Sequence, residues 1–229
     1  MKFTKLSLVA ALAVSTITTT AMAEVEVSAN VSATNNYVWR GMTQTNNQAA
    51  VQGGIDLGMG GFYLGTWTSN VDYTSSKTVN NVETTTLAGD TEVDGYIGYA
   101  GEAGALGYDI GYIKYGYLDT PNSNFDEAYL GLSYDFGVAS LGVTYSKGLD
   151  DAPDDIALDF SIPVMQDYSL DFAAGDYDTY GQRYSAGISK SFDKIDFSIV
   201  YSAFEADTST GNAGATDQNN VIVSAGTSF

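Results

Sequence analysis

The residues of this sequence that could do chemistry are mostly carboxylates. Asp and Glu number 28 against nine Lys and Arg, and the formal net charge is −19. There is no histidine and no cysteine, which removes the commonest general base, the thiolate nucleophile and the usual soft metal ligands. A carboxylate pair can still perform acid–base chemistry, but no pair here stands out from the general acidity. We therefore expect no enzyme, no cofactor, and no nucleic-acid partner, whose phosphates this chain would repel.

One acidic segment could bind a cation. Asp150, Asp151, Asp154 and Asp155 offer clustered oxygens of the kind that calcium prefers. The segment lacks the spacing and the glycine of a calcium loop, so a solvated loop that bridges to anionic lipopolysaccharide through divalent ions is the other interpretation. We favour the solvated loop and predict no metal site.

The first residues predict an export signal. Lys2 and Lys5 precede an apolar run over residues 6–14, and Ala21-Met22-Ala23 ends the segment. The apolar run is too short to span a bilayer as a helix. We expect residues 1–23 to be a cleaved signal peptide and residues 24–229 to be one domain.

After the signal, apolar and polar residues alternate with the period of a β-strand. Val25, Val27, Ala29, Val31 and Ala33 share one phase, which continues through Tyr37 and Trp39. The same pattern predicts about twelve antiparallel strands, roughly at residues 25–39, 49–59, 62–73, 92–100, 106–118, 125–135, 139–147, 156–163, 168–176, 182–192, 195–206 and 220–229.

The predicted connections alternate between tight turns, such as Gly60-Gly61, and longer loops, such as residues 41–48 and 74–91. This alternation is typical of a membrane-spanning, up-and-down outer-membrane β-barrel and is not expected of a soluble β-sandwich. An even number of strands would place both termini on the periplasmic side. The partners of such a barrel would be outer-membrane lipid and lipopolysaccharide, and its place the bacterial outer membrane.

Aromatic residues support the barrel. Rings near predicted strand ends would form two interface girdles: Tyr37, Trp39, Tyr145 and Tyr201 at one end, and Tyr99, Tyr134, Phe136, Tyr168, Phe192 and Phe229 at the other. Phe229 also ends an alternating last strand, and this pattern resembles the signal that the outer-membrane assembly machinery recognises. An ordinary amphipathic strand is the alternative interpretation.

The segment Tyr37-Val38-Trp39-Arg40-Gly41 resembles the start of the TorF family of porins, also described as the Gcw_chp family of proteobacterial proteins. The likeness extends over the mature chain in its length, its Tyr- and Gly-rich strands and its final phenylalanine. The resemblance implies an outer-membrane barrel of porin type and supplies no catalytic residues.

If the apolar phase faces lipid, the other phase lines the lumen. The ionisable pore-lining candidates are then Glu26, Asp56, Asp94, Asp109, Glu127, Asp135, Asp159, Asp171 and Asp196, with Arg40 and Arg183. Such an acidic interior favours water over a dry core and cations over anions. Glycines in the lumen phase, namely Gly54, Gly58, Gly98, Gly107, Gly131 and Gly187, are expected to widen the passage.

These patterns predict a porin-like channel for passive diffusion of small solutes, favouring cations or small neutral and zwitterionic molecules. A non-conducting structural or adhesive barrel is the alternative. Arg40 could form a constriction with facing carboxylates or serve as a structural ion pair, which we favour. Lys114 and Lys190 fall in the lipid phase, where they would snorkel to an interface unless a bulge shifts the register. Oligomeric state and solute identity are not predicted.

Overall fold

The computed structural model describes residues 25–79, 82–165, 167–209 and 215–229, without the side chains of residues 73–89. The predicted signal peptide lies outside the described residues. Across these ranges no helix is long and apolar enough to cross a membrane.

Twelve antiparallel strands form a closed barrel, as predicted. The first strand pairs with the last, where Ala33 lies opposite Ala225, and this pairing closes the barrel. On its other side the first strand pairs with the next barrel strand, where Ala29 lies opposite Ile55. The barrel strands are β1 (Glu26–Thr34), β4 (Ala50–Met59), β5 (Phe62–Val79), β6 (Val82–Ala103), β7 (Leu106–Tyr115), β8 (Phe125–Asp135), β9 (Ser140–Gly148), β10 (Asp155–Met165), β11 (Tyr168–Tyr177), β12 (Gly181–Phe192), β13 (Ile195–Ala206) and β14 (Gln218–Ser228). Two short strands, β2 (Val38–Trp39) and β3 (Met42–Thr43), pair with each other only, and a single 3₁₀ turn lies at Pro121–Ser123.

The barrel has two ends that differ in their connections. At the terminal end, where β1 begins and β14 ends, the turns are tight; Gly60 and Gly61 both have positive φ (59° and 92°), which a two-residue turn between twisted strands requires. At the opposite, distal end the connections are longer. One prediction at this end was wrong: residues 74–79 and 82–91 are strand and do not belong to a long loop.

That segment continues the sheet. β5 and β6 stay paired from Asn70 opposite Thr91 to Val79 opposite Val82, beyond the last β4 residue paired with β5, Gln52. The stretch is rich in Thr and Val, which favour strands, but most of its residues are polar. The apolar alternation that identified the other strands is therefore absent from it.

The predicted inside–outside alternation is confirmed along the barrel strands. Outward aliphatic side chains are exposed, for example Val51 (64%) and Ile55 (54%), whereas inward residues such as Ser198 and Ser202 are buried. The outward girdle residues Tyr145, Tyr201, Tyr134, Phe136, Phe192 and Phe229 are exposed as expected.

The first strand departs from the prediction. β1 ends at Thr34, and Tyr37 and Trp39 do not belong to the outer girdle. Tyr37 is only 3% exposed, and Trp39 packs against inward rings of the barrel wall. In the sequence, Tyr37 and Trp39 continue the alternation of a lipid-facing strand. An aromatic ring that packs on the lumen wall is as apolar as one that faces lipid, so the sequence pattern is the same.

Candidate functional site

Residues 35–49, between β1 and β4, fold into the distal end of the barrel and are called the plug. Its centre is the β2–β3 hairpin, turned by Arg40 (φ 48°) and Gly41 (φ 84°). Two consecutive residues with positive φ are typical of the tightest hairpin turn, and an arginine is an uncommon occupant. This backbone directs the Arg40 side chain into the lumen.

The plug is fastened to strands around the barrel. The Thr43 amide donates to Gln218 Oε1 at 2.9 Å, and Asn36 Nδ2 donates to Asn220 Oδ1 at 3.0 Å, both on β14. On the other side, the Asp72 amide of β5 donates to the Gln44 carbonyl at 2.8 Å. These polar bonds satisfy backbone and amide groups that the lumen would otherwise leave without partners.

Arg40 joins the plug to the opposite wall. Its Nη1 and Nη2 donate to Glu127 Oε1 and Oε2 at 2.6 and 2.7 Å, and its Nε lies 3.5 Å from Asp155 Oδ1. The guanidinium also stacks over Trp39 and Tyr177, at 4.3 and 4.7 Å from the ring centroids. Such a planar, two-armed contact is one that lysine could not make.

Arg183 completes this cluster from β12. Its guanidinium bonds both carboxylate oxygens of Asp155, with Nη2 at 2.8 Å from Oδ2. It reaches β10 by lying over Gly175 of the intervening β11, where a Cβ atom would collide with it. Glu127, Arg40, Asp155 and Arg183 thus form a buried chain in which two acids balance two arginines.

Between the plug and the terminal end, tyrosines cover one wall of the lumen. Tyr63 crosses Gly98 and donates to Asp109 at 2.6 Å, and Tyr96 crosses Gly65 and donates to Asp56 at 2.5 Å. The expectation that Gly98 widens the passage was wrong, because the missing side chain accommodates a neighbouring ring.

Apart from Asp94, which lies with Glu92 next to the plug, the remaining lumen carboxylates lie nearer the terminal end, in what we call the chamber. Asp171 accepts hydrogen bonds from Ser161, Ser169 and Ser189 at 2.6, 2.9 and 3.0 Å. Asp159 projects from β10 on the same inward face as Asp155, yet its side chain is exposed. Asp196 accepts from Ser191, while Glu26 and Asp135 are exposed at the terminal rim. An exposed inward carboxylate indicates a chamber accessible to water.

The structure therefore separates the predicted lumen residues into two groups. Arg40, Arg183 and Glu127 meet at the plug, whereas Asp56, Asp109, Asp159 and Asp171 line the chamber. Two important acids were missed: Asp155, assigned to a loop, and Glu92, which shares the inward phase of Asp94. Each of the two acids lies two positions from another inward residue of its strand, and this spacing could have identified it as inward.

The acidic segment at 150–155 does not converge on a point. Asp155 faces Arg183, and Asp154 accepts from Lys147 and Tyr145. Hydrogen bonds from Tyr145 and then Lys147 lower the pKa of Asp154 below its usual value. Among the described residues, no group of three or more His, Cys, Asp or Glu side chains is arranged to hold a metal ion.

The two lysines expected in the lipid phase do point outward. Lys114 Nζ lies 2.9 Å from Asp126 Oδ1, and Lys190 donates to Tyr168 and lies over its ring. β7 and β12 pair with their neighbours without a register shift, so no bulge is needed. The register shift present in β10 lies at Pro163 and Met165.

Solved structures with this architecture include porins and an enzyme. A KdgM porin in complex with disordered oligogalacturonate has a TM-score of 0.59 at 10% identity, covering 89% of this chain and 98% of that one. The NanC porin has a TM-score of 0.51 at 9% identity, covering 88% and 99%. Outer membrane phospholipase A from Escherichia coli has a TM-score of 0.53 at 11% identity, covering 87% and 89%. At these identities the likeness shows the fold alone.

The sequence itself gives one match. The profile of the family described as "Bacterial protein of unknown function (Gcw_chp)" matches residues 18–229. No curated protein matches the chain in sequence.

Proposed function

The chain belongs to the Gcw_chp family of bacterial proteins, and we propose that it forms a narrow outer-membrane pore for small cations and small neutral or zwitterionic solutes. The observation that carries this proposal is the acidic, water-accessible chamber beneath a charge-balanced plug. The porin folds of KdgM and NanC support the class of protein. The relation to TorF porins also remains part of the proposal.

The charge of the chamber supports the selectivity. Asp56, Asp109, Asp159 and Asp171 face inward, while both described arginines are neutralised by Glu127 and Asp155 at the plug. A passage lined by carboxylates lowers the energy of cations and raises that of anions. Oligogalacturonate carries carboxylates and would be repelled here, so we do not extend the KdgM ligand to this chain.

The plug supports the limit on solute size. It contacts strands on several sides of the barrel, through Gln218 on β14, Glu127 on β8 and Asp155 on β10. Solutes would have to pass beside the plug or wait for it to move. The same observation favours a second candidate, a structural barrel that the plug keeps closed.

Planar-bilayer recording of the purified protein distinguishes the two candidates. We expect small single-channel steps and, in a salt gradient, a reversal potential of the sign that cation preference produces. Anion preference would contradict the proposed selectivity. A protein that inserts in bilayers but never conducts would support the closed structural barrel instead.

The proposal includes export and orientation. Removal of residues 1–23 would leave Glu24 as the first residue, the terminal end would face the periplasm, and Phe229 would be recognised by the assembly machinery. Lipid and lipopolysaccharide would surround the outward face. Amino-terminal sequencing of the protein from purified outer membranes should begin at Glu24; a product that retains the apolar run would contradict this processing.

The proposal excludes catalysis, although outer membrane phospholipase A has the same fold. The chain has no histidine that could activate a serine nucleophile. Incubation of the purified barrel with phospholipid vesicles should release no fatty acid, and release by the pure protein would overturn this part of the proposal.

A further inference from the structure

Two carboxylates on the plug-facing wall have no basic partner among the side chains that the structure describes. Glu92 and Asp94 are inward residues of β6, 1% and 4% exposed. Of the other buried acids in the described ranges, Glu127 and Asp155 face arginines, and Asp90 accepts from two backbone amides and from Thr120. None of the ion pairs among the described residues involves Glu92 or Asp94.

The oxygens of this pair are also incompletely bonded. Tyr37 of the plug donates to Glu92 Oε1 at 3.2 Å. In the described part of the chain, no N–H or O–H group donates to Glu92 Oε2 or Asp94 Oδ1, and both atoms are buried. The two carboxyl groups project side by side from the same inward face of β6, two residues apart.

Neither carboxyl group can donate to the other's open oxygen unless one of them carries a proton, because ionised carboxylates only accept hydrogen bonds. Like charges at this separation and with this little water are strongly unfavourable, and sharing one proton relieves the repulsion. A calcium ion would need six or more oxygen ligands, which these groups do not supply.

We propose that Glu92 and Asp94 form a proton-binding site that fastens the plug to β6 through Tyr37, and that loss of the shared proton to water releases the plug. With the proton, the pair carries one negative charge and one carboxyl group can donate to the other. Without it, two negative charges lie side by side beneath Tyr37. The carboxylates can then separate only by moving toward water, which the plug excludes.

The surroundings offer little to offset the second charge. The titratable and charged groups that face the pair are Tyr37 and Arg40 from the plug, Tyr115 of β7, Tyr117 after it, and Asp90 and Tyr96 of β6. Arg40 is already bonded to Glu127 and Asp155. β5 contributes Trp67 and Ser69, which do not titrate in the ordinary range.

A fluorescence experiment tests the inference without requiring the barrel to conduct. The chain has two tryptophans, so Trp67→Phe leaves Trp39 of the plug as the sole indole. Trp39 packs against Tyr115, Phe125 and Tyr177, which shield it from a soluble quencher. In the folded protein in detergent, we expect the acrylamide quenching constant to rise severalfold from about pH 5 to about pH 9. An unchanged constant would overturn the inference.

Variants identify the groups responsible. Glu92→Gln or Asp94→Asn, each in the Trp67→Phe background, removes one charge and supplies an amide donor in place of the proton, so quenching should stay low throughout. Either variant suffices if the other fails to fold. Tyr37→Phe removes the hydrogen bond between the plug and Glu92, so the quenching constant should be high at every pH. Asp171→Asn in the chamber is the matched control and should keep the full pH response. If this variant loses the response, the general charge of the lumen causes it and the inference is wrong.

Discussion

Arg40 and Glu127 form a two-armed ion pair between the plug and β8, with both nitrogen–oxygen distances at or below 2.7 Å. The residues are 87 positions apart in the chain, and their side chains are 7% and 1% exposed. Because a buried acid that loses its base keeps the full cost of desolvation, this contact links the stability of the barrel to the position of the plug. This geometry agrees with the structural ion pair, the interpretation of Arg40 that the sequence favoured.

Arg40→Ala should destabilise the barrel by about 3 kcal/mol, because Glu127 would remain buried without its base. Urea unfolding in detergent, followed by the shift in electrophoretic mobility between folded and unfolded barrel, measures the loss. Arg40→Lys should recover only part of it, since an ammonium cannot make the two-armed contact. Lys147→Ala is the control, because it removes an exposed ion pair and should cost at most about 1 kcal/mol. Equal stability of Arg40→Ala and wild type would contradict the structural role.

The same Arg40→Ala variant should conduct more than wild type in planar bilayers. The plug would lose its contact with β8 and the mouth would lose a bulky side chain that packs against Trp39 and Tyr177. Single-channel recordings should show larger or more frequent openings. Conductance that stays at the wild-type level, in a protein that has lost stability, would show that Arg40 does not limit passage.

Gly98→Ala should destabilise the barrel by about 1–3 kcal/mol, because the new methyl group would overlap the Tyr63 ring that crosses this position. Gly95→Ala on the same strand is the matched control. Gly95 faces outward, and a Cβ atom there would meet nothing within 4 Å. Thermal unfolding of the two variants should differ clearly. Similar melting temperatures would mean that Tyr63 does not need the space over Gly98.

Neutralising the chamber should weaken cation preference. Asp159→Asn together with Asp171→Asn removes two inward carboxylates, so the reversal potential in a salt gradient should move toward zero. Asp176→Asn, an outward residue bonded by Gln182, is the control and should leave the potential unchanged. If the double variant keeps wild-type selectivity, these two acids do not set it.

The Asp154 loop should contribute a small, pH-dependent stability. Its pKa is lowered in the folded protein by hydrogen bonds from Tyr145 and Lys147. The contribution is therefore present above the usual aspartate value of 3.8 and is lost as the pH falls from there through the lower, folded value. Melting curves of wild type and Asp154→Asn should differ slightly at neutral pH and converge in acid. A difference that grows in acid would contradict the assigned sign.

Much of the fold could be predicted because alternation is a local property. Along β4, Val51, Ile55 and Leu57 fall on one face whatever the rest of the chain does, and the Gly60-Gly61 turn follows from backbone freedom at two residues. The extended β5–β6 ribbon escaped prediction because its sequence, rich in Thr and Ser, has no regular apolar alternation. Residues 35–49 escaped it because their rings suit the lumen wall as well as lipid.

The sequence by itself determined the strand period, the inward phase of nine acids and Arg183, and the excess of negative charge. Only the tertiary structure decided that Arg40 faces Glu127, that Arg183 faces Asp155, and that Glu92 and Asp94 face no base among the described side chains. The physical reason is distance along the chain. Alternation is set by bonded neighbours two residues apart, whereas charge partners across a lumen depend on barrel closure, strand register and the inward turn at Arg40 and Gly41.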